Sequence, residues 1–307
     1  MPNLFCPQDK TELVFQDGLA VCKTCNTQYS NKKNLYQFLK QENAFYEGAY
    51  LNRIAFKKTN SKLLNSFILW LINSGYLGKV NKTFTKGSRI LELGCAGGVS
   101  FFGDQFKMIG CDLSHSSLEH ASLIYDTCIY ADPLIGLPLD DNSIDGVVSS
   151  FFWEHLDSSQ KDICLKELKR VLKPNGKMVF LYDVITSNPL INYFKKNNSQ
   201  LYQEHFLDQD GHIGYQSIAD NLSLFKENNF KLIKNIPLQK TFILEPSMYI
   251  KFTYWDRFKL LFNALSKIGS SIFFKPFLLL IRVCDIVFSF LPDRWARINM
   301  TILEVKK

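Results

Sequence analysis

The chain reads as an α/β protein built on a doubly wound, mostly parallel sheet, and three observations predict this. First, Arg89-Ile90-Leu91-Glu92-Leu93 is a short apolar run that turns at once through Gly94, Ala96, Gly97 and Gly98, as a buried strand entering a tight turn would. Second, further apolar runs at 107–112, 128–130, 143–150 and 177–182 alternate with stretches of helical spacing, the pattern of strands joined by crossover helices. Third, acids stand at strand ends in this series, at Glu92, Asp112, Asp132 and Asp145. In such folds ligands bind outside the carboxyl ends of the strands.

Composition sets the bounds. A length of 307 residues suits one large domain with small additions, and 46% hydrophobic with 21% charged residues is a globular balance. A net charge of +7 permits contact with nucleic acid or an anionic membrane and requires neither. No basic flank and apolar core mark a leader at Met1-Pro2-Asn3-Leu4-Phe5, and five of the eight cysteines lie singly in apolar surroundings. The expectation is a reducing, cytoplasmic compartment, with membrane association left open.

In chain order, residues 1–40 come first. Cys6-Pro7-Gln8-Asp9 and Cys22-Lys23-Thr24-Cys25 are two knuckle-like turns separated by short apolar runs, the layout of a zinc ribbon whose fourth ligand would be Asp9. A segment this small needs a staple or a surface to dock on. Residues 41–88 read as helices, with Leu63, Leu64, Phe67, Ile68 and Leu71 at helical spacing and Gly75 and Gly78 as stops. A strand ending at Asp112 follows, and the next, Cys128-Ile129-Tyr130, ends at Ala131-Asp132-Pro133. Ser143–Ser150 is the fourth strand, continued by Phe151-Phe152-Trp153-Glu154-His155-Leu156. A helix through Leu165, Leu168 and Val171 stops at Lys173-Pro174-Asn175-Gly176 before the strand Lys177–Tyr182.

The glycine turn, with the acids that follow it, resembles the first motif of class I S-adenosylmethionine-dependent methyltransferases, acid-x-Gly-x-Gly-x-Gly, with Ala96 in the middle glycine's place. Asp112-Leu113-Ser114 resembles the second motif, Asp132 falls at the third, and Leu172-Lys173-Pro174-Asn175-Gly176 is typical of the family. The resemblance, to the small-molecule branch of the family, implies a Rossmann-like, seven-stranded sheet. It implies S-adenosyl-L-methionine held by Glu92, Gly94, Cys95, Ala96, Gly98, Asp112, Leu113, Ala131, Asp132, Ser149 and Ser150. It implies in-line methyl transfer to a small-molecule, glycan or lipid-like acceptor. His155, just past the fourth strand, is the candidate general base, with loop packing as the competing role. The 1–40 segment resembles ribbons that precede methyltransferase domains, and Cys6, Asp9, Cys22 and Cys25 are its candidate zinc ligands. Two other readings stand beside this one. One is an RNA or protein methyltransferase that docks through the ribbon, although the exocyclic-amine motif of nucleic-acid enzymes is absent. The other is a non-catalytic partner protein of the same fold. Tyr46 and Tyr50 are candidates to reach the cofactor.

Residues 204–212 are rich in acids and histidines, and read first as a solvated loop and second as a source of a base or of metal ligands. The methyltransferase domain is expected over 41–245 and 293–307. Residues 246–292 form a helical insertion with six basic residues against two acids. Its apolar run 277–291 is interrupted by Arg282 and Asp285 and is short for a membrane span. A cap over the site, a homodimer face and a membrane-surface element are the three roles for it.

Overall fold

A computed structural model describes residues 3–16, 18–40, 47 and 60–307. Tyr46 and Tyr50 lie outside the described residues. In chain order the strands are β1 (Leu13–Gln16), β2 (Leu19–Cys22), β3 (Gln28–Lys32), β4 (Leu35–Gln37), β5 (Arg89–Leu93), β6 (Lys107–Asp112), β7 (Thr127–Tyr130), β8 (Ile144–Ser150), β9 (Leu172–Asp183), β10 (Phe230–Leu238) and β11 (Ile298–Val305). The helices are α1 (Lys62–Leu71), α2 (Tyr76–Thr83), α3 (Ser100–Gln105), α4 (His115–Ala121), α5 (Ser158–Val171), α6 (Pro189–Asn197), α7 (Ser199–Tyr202), α8 (Ile218–Glu227), α9 (Pro246–Phe252), α10 (Lys259–Ser266) and α11 (Phe274–Val287).

The strands form one sheet in the order β1-β2-β3-β4-β7-β6-β5-β8-β9-β11-β10. From β4 to β9 neighbouring strands run parallel, and β11 lies antiparallel between β9 and β10. Seven of these strands, β7 to β10 in sheet order, are the expected core. The ribbon hairpins add the other four, because β4 pairs with β7 and covers an edge that would otherwise leave main-chain groups open. Leu4, fully buried, bridges to Leu139 and fastens the segment at a second point.

Two apolar layers cover the sheet. Trp153, Leu165, Leu168, Phe180 and Phe225 pack on one face, and Tyr76, Val80, Phe102, Met108 and Tyr125 on the other. The glycine stops after α1 need correction. The helix ends at Leu71, Gly75 caps the start of α2 at φ 77°, and Gly78 lies inside α2. A Cβ at Gly78 would stand 3.2 Å from the Leu69 carbonyl oxygen, so its smallness lets α1 and α2 cross closely.

A third core lies apart from the sheet. Phe194 of α6, Phe206, Met248 and Phe252 of α9, Trp255 and Phe262 of α10 form an aromatic cluster. The helices after residue 246 thus pack on the segment 189–207. On α11 the usual polarity is inverted. Arg282 and Asp285 are buried, pair at 2.8 Å, and bind the Trp70 carbonyl and the Gln239 amide. Leu279, Leu280, Val283, Ile286 and Val287 face outward. Among the described residues no helix is long and apolar enough to cross a membrane.

Candidate functional site

Parallel register places the predicted ligand residues in one row. Leu93 pairs with Cys111 on one side and Ser149 on the other, and Asp112 pairs with Tyr130. The loop after β5, Asp112, Ala131-Asp132 and Ser149-Ser150 therefore all emerge at the same end of the sheet. Asp145 does not belong to this row. It starts β8 at the opposite end, where it accepts from the Arg89 amide and pairs with Lys173.

The glycine loop is held by Asp112. One carboxylate oxygen accepts from the Ala96 amide at 2.8 Å and the other from the Ser114 amide at 2.9 Å. Asp112 is not the helix cap; Ser114 caps α4 through its own hydroxyl. Gly94 and Gly98 have φ of 62° and 81°, which a side chain would strain, and Ala96 takes the same region at 45°. A Cβ at Gly94 would meet Phe152 at 3.0 Å. A carboxylate has about four lone-pair sites, so Asp112 keeps acceptor capacity beyond the backbone amides it already binds. Burial raises its pKa above the ordinary value against the amide bonds.

Glu92 is buried beneath the loop. The Tyr125 hydroxyl donates to it and in turn accepts from the Val99 amide at 2.8 Å. Burial pushes Glu92 up to about 8; the Tyr125 bond opposes this and the charge of Asp112 adds to it. Tyr125 escaped the sequence reading because a lone tyrosine ahead of a strand carries no pattern. The same holds for Glu47, whose carboxylate accepts from the His115 amide at 2.6 Å and the Ser116 hydroxyl at 2.6 Å, just beyond Asp112. Asp132 accepts from the Leu134 amide at 2.8 Å and is likewise raised by burial. The Ser149 hydroxyl donates to the Leu93 carbonyl, and Cys95 is buried in the apolar layer, its sulfur where a Cβ on Gly110 would reach 2.8 Å. The Leu113 and Ala131 backbones border the same row.

On the other side of β8 lies a second cluster. Phe151, at φ 55°, turns the chain so that Trp153–His155 forms a short helical turn, with Glu154 buried. His155 Nδ1 contacts the Gly211 carbonyl at 3.1 Å, and its ring meets that of His212 at 5.3 Å between centroids. Burial lowers the pKa of both imidazoles and raises that of Glu154. The run 204–212 is therefore not a solvated loop. It is helical over Gln203–Asp208, His205 is buried, and Asp210 pairs with Lys251 of α9. Gly214 makes the docking possible, since a Cβ there would lie 1.4 Å from the Leu156 carbonyl oxygen. Lys161, fully buried, donates to the Gly214 carbonyl at 2.6 Å and to Gln216 at 2.9 Å, and burial lowers it to about 8. Its place on the apolar stripe 161, 165, 168 was the signal for it.

At the far edge the four ribbon residues converge. Ligand atoms of Cys6, Asp9, Cys22 and Cys25 all lie within 4.8 Å of one another. Cys6 and Cys25 sulfurs are 3.7 Å apart, and Cys22 lies 3.1 Å from an Asp9 oxygen.

Residues 91–180 match the model of a methyltransferase domain family. Within that stretch the chain carries a methyltransferase domain of the class I S-adenosylmethionine-dependent kind. The chain is 31% identical over 157 residues to the demethylmenaquinone methyltransferase of Staphylococcus carnosus, covering 47% of this chain and 62% of that one. It is 33% identical over 133 residues to the enzyme of the same name from Staphylococcus epidermidis, covering 39% and 51%. The chain thus spans between half and two thirds of the length of these relatives. A proposed methyltransferase of Bacillus halodurans C-125 superposes with a TM-score of 0.50 at 15% identity, covering 76% of this chain and all of that one, which shows the shared fold.

Proposed function

We propose that the chain transfers a methyl group from S-adenosyl-L-methionine to a small hydrophobic acceptor that carries a hydroxyl or an acidic carbon. The observation that carries this reading is the loop 92–98 with its buried acid, held by Asp112 at the carboxyl ends of adjacent parallel strands. The glycine turn lets a ligand approach the backbone closely, Asp112 and Asp132 suit ribose and adenine donors, and Glu92 suits a cationic ligand once its proton is released. The sulfonium makes the methyl electrophilic when the cofactor is bound. The protein's own share is to align the acceptor, keep water from the sulfonium, and promote loss of the acceptor's proton near Glu154, His155 and His212.

The acceptor class follows from two supports. The Staphylococcus relatives are named for demethylmenaquinone, and the outward apolar residues of α11, with exposed Leu260, Ile272 and Phe290 and the basic Lys259, Lys267 and Lys275 in the same 246–292 stretch, suit an anionic membrane surface. The aromatic cluster links α9 and α10 to the segment bearing His205 and His212, which suits a cap over the acceptor. The cysteine–aspartate cluster suits one structural zinc ion, held by Cys6, Asp9, Cys22 and Cys25.

Calorimetry with S-adenosylmethionine, its demethylated product and NAD tests the cofactor. Heat with the first two and none with NAD is the expected result, and silence with all three refutes the reading. Incubation with methyl-labelled cofactor and separated lipid, RNA, glycan and protein fractions tests the acceptor, and label is expected in the lipid fraction.

A further inference from the structure

We propose that Glu154, His155 and His212 hold a divalent transition-metal ion whose open coordination position takes an oxygen of the acceptor. The three side chains come from the turn after β8 and from the segment after Asp210. They place potential ligand atoms within 4.8 Å of one another. Two of those groups carry an unexplained cost. Glu154 is 1% exposed and its Oε2 has no hydrogen-bond partner; the His212 side chain is 7% exposed and its Nδ1 has none. A buried acceptor left unmade costs its full desolvation. One ion between them satisfies both.

The cluster is built, not incidental. The Gly214 amide donates to the Glu154 carbonyl at 2.9 Å, and only glycine fits against Leu156. The buried Lys161 holds the Gly214 carbonyl from beneath. The His155 ring is oriented by the Gly211 carbonyl, the outer-shell contact that metal-bound imidazoles commonly make. The surrounding charges are already engaged: Asp183 with Arg297, and Asp210 with Lys251 while 4.0 Å from His212 Nε2. Two imidazoles and one carboxylate favour zinc, cobalt, iron or manganese over magnesium or calcium. Three protein ligands leave a position open.

The role at that position rests on the reading of this pocket as the acceptor site; the metal site itself does not. An acceptor hydroxyl bound to the ion is acidified. Its O–H bond breaks, the proton passes to solvent water, and the electron pair stays on oxygen as a metal-bound oxyanion, with the metal's oxidation state unchanged.

The test uses the full chain, stripped with chelator in reducing buffer and titrated with cobalt(II) chloride. Cobalt on the cysteine cluster gives a near-ultraviolet thiolate charge-transfer band. Cobalt on Glu154, His155 and His212 gives visible ligand-field bands without it. The expected result is cobalt in both places. His212→Ala and Glu154→Gln should abolish or weaken the second by more than the roughly 10–100-fold that loss of an outer-shell partner costs, leaving the thiolate band unchanged. His212→Ala should also leave the heat of S-adenosylmethionine binding intact, which shows that the variant is folded. Cobalt bound only with the thiolate band, or bands that His212→Ala leaves in place, overturns the proposal. Cobalt binding here in a protein that takes no S-adenosylmethionine would sustain the metal site and refute the methyltransferase reading. Cofactor binding without cobalt here would do the reverse.

Discussion

At the scale of single residues, Asp112 and Glu92 carry the sharpest expectations. Asp112 both ties the loop and offers acceptors. Asp112→Ala should weaken S-adenosylmethionine binding by about 1.5–3 kcal/mol, read by calorimetry, and Asp112→Asn should recover part of it. Glu92 has the opposite character: its folded pKa, about 8, stands above the ordinary carboxyl value of 4.5. The folded state therefore binds the proton more tightly, and this contribution to stability is fully present below 4.5 and is lost as pH rises through 8. Thermal melts should show wild-type stability falling over that window, by up to a few kcal/mol, while Glu92→Gln flattens the profile. If a cofactor ammonium meets Glu92, binding must expel the proton. Affinity should then rise between pH 6 and 8, and the calorimetric heat should vary with the buffer's ionisation enthalpy. A pH-independent affinity would place the cation elsewhere.

At the scale of elements, Gly214 and the ribbon can be tested. Gly214→Ala forces residues 211–216 off the turn at 154–157. It should destabilise by about 1–3 kcal/mol in denaturant titration and lower methyl transfer while cofactor affinity holds. Metal analysis should find about one zinc in the cysteine cluster, and Asp9→Cys should make it harder to remove with chelator. The strand–turn–helix elements were legible from the sequence because Ile90, Leu91, Met108, Ile109, Val147 and Val148 form apolar runs with punctuation at Gly94, whereas the turn expected at Lys173-Pro174-Asn175-Gly176 lies inside β9, which starts at Leu172 directly after α5 and is irregular there. That Glu92, Asp112 and Asp132 gather at one end of the sheet was legible because strand ends are, whereas Asp145 stands at the start of its strand and so falls at the other end. The pairing of β4 with β7 was not, since nothing local in Leu35-Tyr36-Gln37 names a partner. Nor was the burial of His205 and His212. A stretch of acids, histidines and Asp-Gly looks solvated until the aromatic cluster and Lys251 are placed on it. The polarity of α11 misled in the same way, because Arg282 and Asp285 interrupt the apolar run in sequence and yet are what fastens it to the body.

At the scale of the whole molecule, the outward apolar face of α11 and its neighbours sets an expectation about location. The chain should co-sediment with anionic vesicles and release with salt, at about 1 kcal/mol for each basic residue close to the surface. Ile286→Asp with Phe290→Asp should abolish this and leave calorimetric cofactor binding unchanged. Equal sedimentation of that double variant would assign the face to another partner. The sheet's far edge carries a consequence of a different kind, in the order of assembly. The hairpins of residues 13–37 close locally, but β4 must wait for β7, which follows it by roughly ninety positions. Metal taken up by the ribbon beforehand would deliver β4 as part of a finished unit, covering β7 as soon as that strand forms. A chain refolded without metal would meet the same step with a loose strand and a bare parallel edge, the arrangement through which two copies exchange segments. Metal depletion should then register as dimers and aggregates during refolding, and scarcely at all in a protein that is already folded.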